Sequence, residues 1–64
     1  MIKKAYEIPN GDYLIIDNLK FQKSNNDSRF VNIKPLFPTM FPEGGLIYAL
    51  DKFEQIDEHI WRRL

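Results

Sequence analysis

The sequence predicts an α+β fold: a small antiparallel sheet of three to four strands that opens with an N-terminal hairpin, and one C-terminal amphipathic helix packed on one face. Three observations carry this expectation. Apolar residues alternate from Ile2 to Ile8 and again from Tyr13 onward, with a turn-forming Pro9-Asn10-Gly11-Asp12 between them. Polar Ser24-Asn25-Asn26-Asp27-Ser28 then separates these runs from renewed alternation over Arg29 to Lys34. From Asp51 the apolar spacing changes to that of a helix.

In the first hairpin, Ile2, Lys4, Tyr6 and Ile8 share one face of an extended segment. Pro9 pre-sets φ and Gly11 takes the positive φ that closes a reversal. The second strand is expected over Tyr13 to Phe21, with Tyr13, Ile15, Leu19 and Phe21 on one side and Leu14 and Ile16 on the other. Ser24 to Ser28 reads as an exposed loop, and the third strand completes a meander. Pro35, Pro38 and Pro42 then exclude a central strand, because proline donates nothing to a ladder. Glu43-Gly44-Gly45 reverses the chain. Leu46 to Leu50 fits a short strand or the first turns of a helix, and periodicity over so few residues does not decide between them. Asp51 with Glu54 three residues later forms a capping-box variant. Phe53, Ile56, Ile60 and Leu64 follow at helical spacing, with Trp61 on the flank.

Sixty-four residues suffice for one small domain, spanning 1–64, whose core is marginal. The chain has no Cys and a single His, which excludes disulfides and a Cys/His zinc site. Idealised packing, self-association or partner binding are then the remaining routes to stability, and a homodimer is the preferred expectation. Nine basic and nine acidic residues cancel, so the footprint of a non-specific nucleic-acid binder is missing. No apolar run reaches the length of a membrane span, and no membrane partner is expected. A cysteine-free chain suits a reducing cytoplasm.

No pattern of residues points to catalysis or to a cofactor. His59 stands alone beside Glu58 on the expected helix surface, without a nucleophile at a useful spacing. The five Asp residues lack the spacing of a calcium loop, and Gly44-Gly45 lacks the lysine of a phosphate loop. Two sets of residues suit binding instead. Phe37, Met40 and Phe41 are large apolar groups in a stiff Pro-rich segment, the kind that anchor protein interfaces, and Trp61 on the helix flank fits either a core edge or a further anchor. Lys20, Phe21, Lys23, Arg29 and Phe30 interleave basic and aromatic groups, as single-strand nucleic-acid binders do. The expected function is a small intracellular protein-binding module, an inhibitor or adaptor acting by surface occlusion, of the kind a phage or mobile element encodes. A nucleic-acid-binding regulator and a small structural subunit of a larger assembly are the alternatives.

Overall fold

A computed structural model describes residues 1–36 and 45–64. Seven strands follow in chain order: β1 (Ile2–Lys4), β2 (Tyr13–Ile16), β3 (Leu19–Asp27), β4 (Phe30–Pro35), β5 (Gly45–Tyr48), β6 (Lys52–Asp57) and β7 (Ile60–Arg63). They form one mixed sheet in the order β1-β6-β7-β2-β3-β4-β5. Every neighbouring pair is antiparallel except β2 and β7, which run parallel. The expected α+β fold, with three or four strands and a C-terminal helix, is therefore incorrect. Among the described residues the only helical piece is a 3-10 turn over Ala5–Glu7.

Two local features explain the difference. The first is Asp17-Asn18, which splits the expected strand Tyr13 to Phe21. Both residues hold positive φ, 52° and 65°, as a two-residue hairpin turn of the primed type requires and as Asp and Asn tolerate. The hairpin at this end of the chain thus joins β2 to β3, with Ile16 opposite Leu19. Pro9 to Asp12 does reverse the chain, through Gly11 at φ 97° and a bond from Asp12 N–H to the Pro9 carbonyl. It does not, however, place β1 beside β2, since β1 pairs with β6.

The second feature is the stretch Asp51 to Leu64, a hairpin of β6 and β7 and not a helix. Phe53, Ile56, Ile60 and Trp61 are β-branched or aromatic and fit a pleated surface better than a helix. The helical stripe would have buried Ile56, Ile60 and Leu64 together, yet Ile56 and Leu64 are exposed and only Phe53 and Trp61 enter the core. Glu58 and His59 make the turn, where Asp57 Oδ1 accepts from the Glu58 N–H at 2.7 Å and Gln55 Nε2 donates to the Glu58 carbonyl. Asp51 caps nothing. Its carboxylate accepts from Arg63 Nη2 at 2.9 Å, which ties the two ends of the hairpin together.

The sheet must curl. β5 and β6 lie five strand steps apart, about 24 Å in a flat sheet at roughly 4.8 Å per step. Yet Tyr48 and Lys52 are joined by a link that reaches at most about 14 Å. The 3-10 turn seals the ring. Ala5 N–H donates to the Asp51 carbonyl and Tyr6 N–H to the Ala49 carbonyl. Inside sit Leu14, Ile16, Phe21, Val31, Ile33, Phe53 and Trp61, with Ala5, Ile8 and Ala49 closing the ends. A fully buried Leu14 or Phe53 contributes about 1.5–3 kcal/mol each. Leu46 to Leu50, undecided from sequence, begins as strand β5 and continues as a turn. No helix among the described residues is long and apolar enough to cross a membrane.

Candidate functional site

Two regions of the molecule depart from the usual placement of polar and apolar side chains. The first is internal. Asp12 ends the Pro9–Asp12 turn with its side chain directed into the sheet, where Trp61 Nε1 donates to Oδ2 at 3.0 Å. Its other oxygen lies 3.1 Å from His59 Nδ1. Lys23 enters from β3, next to a bulge that shifts the β3–β4 register between Lys23 and Asn25. The lysine is only 1% exposed, and its ammonium donates to the carbonyls of Ile8 and, at 3.3 Å, Tyr6. Burial pushes the Lys23 pKa below the ordinary lysine value, and the nearby Asp12 carboxylate opposes that shift in part. Together these groups stitch the turn after the 3-10 segment to β3 and to the β6–β7 hairpin.

Chemically, this cluster holds the structure together. Asp12 and His59 make the carboxylate–imidazole contact that can orient a general base. However, the second ring nitrogen of His59 faces Glu58 Oε1 at 3.8 Å and not a nucleophile. Among the described residues, no three His, Cys, Asp or Glu side chains gather as a metal site would require.

The second region is the outer face of β4 and β5. Phe30 stands opposite Tyr48, and Asn32 opposite Leu46. The Phe30 and Tyr48 rings lie 5.5 Å apart, tilted by 32°, a cross-strand aromatic pair of the stabilising kind. Neither ring is covered: Tyr48 is 64% exposed, Leu46 56% and Phe30 37%. Leu50 is also exposed just beyond Tyr48. Next to Leu46 an apolar hollow of about 320 Å³ opens between the Asp17-Asn18 turn and β5, with Leu19, Phe21, Ile33 and Ile47 in its walls. β5 is also the last strand of the sheet, so its outer edge has no strand partner among the described residues.

The residues singled out in the sequence are dispersed. Phe37, Met40 and Phe41 lie outside the described residues. Trp61 is 2% exposed and belongs to the core. Of the basic and aromatic set, Phe21 and Lys23 face inward, while Lys20, Arg29 and Phe30 are on the surface. Lys20 covers the outer face of Tyr13, its ammonium 4.8 Å from the ring centre. The five do not share one surface, and a buried Phe21 offers no ring for a base to stack on. Leu46 and Tyr48 were missed because their alternation against Ile47 and Ala49 becomes meaningful only once the stretch is known to be a strand.

The fold and this face define a small all-β domain with an uncharged, apolar edge and a tightly stitched interior. Comparison with known protein families, curated proteins and solved structures finds no match to this chain.

Proposed function

We propose that the chain is a small protein-binding module that uses the outer face of β4 and β5. The observation that supports this most directly is the exposed Phe30–Tyr48 pair with Leu46 beside it on the sheet's last strand. Apolar and aromatic groups held on rigid strands lose little entropy on docking, and interfaces concentrate their energy in such groups. An inhibitor or adaptor that works by occluding a partner's surface is the mode of action that goes with this face. It has no dependence on catalysis, and the cytoplasm is its expected setting.

The test compares the wild-type chain with Tyr48→Lys in capture from host lysate, with and without nuclease. Melting temperature confirms that the variant folds. A protein bound by wild type and lost from the variant supports the reading, with affinity expected to fall by at least about thirtyfold. Identical capture by both chains removes this face from consideration. Capture abolished by nuclease favours the nucleic-acid-binding alternative.

A further inference from the structure

We infer that the partner of this face is a second copy of the chain, joined by antiparallel pairing of β5 with β5 across a two-fold axis at Ile47. This rests on the protein-binding reading above and names the occupant of the same surface.

The direction of the backbone groups comes first. Ala49 N–H donates to the Arg29 carbonyl at 2.9 Å, and the β4–β5 register continues from there as Phe30 with Tyr48 and Val31 with Ile47. Peptide groups alternate in an antiparallel ladder, so Ile47, two residues before Ala49 and opposite Val31, turns its N–H and C=O toward β4. Leu46 and Tyr48 therefore turn theirs outward, toward the edge. The Tyr48 carbonyl already accepts from Asp51 N–H at 3.1 Å and keeps a second lone pair. A two-fold axis at Ile47 brings Leu46 of one copy opposite Tyr48 of the other, and the outward groups then form a hydrogen-bonded pair at each of the two positions.

Side chains suit the same register. Leu46 and Tyr48 share the outer face, so each Tyr48 ring lies between its own Phe30 and the other copy's Leu46. The result is one apolar stripe, built twice from a single patch, as an isologous contact requires.

The two edges of the sheet also differ in protection. β1 has only three residues, Lys3 and Lys4 among them, and Lys4 stands opposite Lys52. Short length and lysines are the means by which sheets discourage edge pairing. β5 has neither lysine nor proline, and no charge occurs from Gly45 through Leu50. A two-fold contact sets every charged group near its own copy, so a charge-free strand can meet itself without repulsion.

The test is the solution mass of the full chain across a wide concentration range. Wild type should move toward twice the monomer mass as concentration rises. Leu46→Pro deletes an outward N–H that no bond among the described residues uses and follows Gly45, which tolerates a succeeding proline; it should remain monomeric. Leu46→Lys and Tyr48→Glu should each weaken the dimer alone, and an equal mixture of the two should recover it as a heterodimer, because the register sets the two substituted positions face to face. A wild-type chain that stays monomeric overturns the inference, as does a Leu46→Pro chain that still dimerises or a mixture no stronger than its components. If wild type is monomeric while Tyr48→Lys still loses a captured protein, the dimer is wrong and the binding reading survives.

Discussion

Around Asp12 the molecule buries polar groups, and across the β4–β5 face it exposes apolar ones. In the first region every polar group is answered: the Asp12 carboxylate by Trp61 and His59, the Lys23 ammonium by two carbonyls. Among the described residues no buried side-chain nitrogen or oxygen lacks a partner. In the second region Phe30, Leu46 and Tyr48 face outward side by side on two neighbouring strands. The contrast separates two uses of side chains. Polar groups sealed inside fix which turns meet, because each would be costly left alone. Apolar groups left outside keep free energy available for association.

If this division holds, substitutions inside should cost stability, and those on the face should cost binding. Trp61→Ala has the largest expected effect. It removes a core side chain and the indole N–H of Asp12 together, for a loss of about 3–5 kcal/mol, measured by chemical denaturation. A stable Trp61→Ala chain with weakened binding would reverse the assignment and make Trp61 an interface anchor.

Lys23→Met should follow, at about 1–3 kcal/mol, since the Ile8 carbonyl loses its lysine donor and the Tyr6 carbonyl is left with Asn26 Nδ2 alone. Its pH dependence sharpens the comparison. Burial holds the folded-state pKa of Lys23 below the ordinary 10.5. Between that lowered value and 10.5 the unfolded chain binds the extra proton, so stability rises with pH through this window. Below the window the full cost of burying the charge is present. The difference in unfolding free energy between wild type and Lys23→Met should therefore grow toward alkaline pH, and a flat difference would mean that the ammonium is not desolvated.

His59→Ala is the smallest expected change, within about 0.5 kcal/mol, because the ring is mostly exposed and its pairing with Asp12 is open to solvent on one side. Binding should be unaffected. A loss of function in a folded His59→Ala chain would reopen a catalytic reading of the Asp12–His59 contact.

Much of the chain's punctuation was legible without coordinates. The turn at Pro9 to Asp12, extended backbone over Arg29 to Lys34, and the sharing of one face by Val31 and Ile33 follow from turn chemistry and period-two alternation. Phe21, by contrast, lies with Leu14 and Ile16 and not with Tyr13 and Ile15 as a single strand would place it. Asp17-Asn18 carries a turn signal too, since both residue types tolerate the left-handed backbone a tight hairpin needs, but the apolar alternation of Tyr13 to Phe21 running across it masks that signal. The C-terminal hairpin was hidden for a deeper reason. Phe53, Ile56, Ile60 and Leu64 satisfy helical spacing, and the β-branched and aromatic content that favours a strand is too weak a local signal to override that spacing. The parallel pairing of β7 with β2 decides it, by burying Trp61 beside Leu14.

The sequence by itself determined that the chain turns at Pro9 to Asp12, that no disulfide can form, and that its nine basic and nine acidic residues cancel. Those properties reside in single residues or in sums over them. Tertiary structure alone decided that β1 pairs with β6, that Asp12 meets Trp61 across 49 positions, and that Leu46 and Tyr48 end on an outer edge. Each is a contact between segments distant in sequence, and its free energy depends on what the rest of the sheet has already brought together.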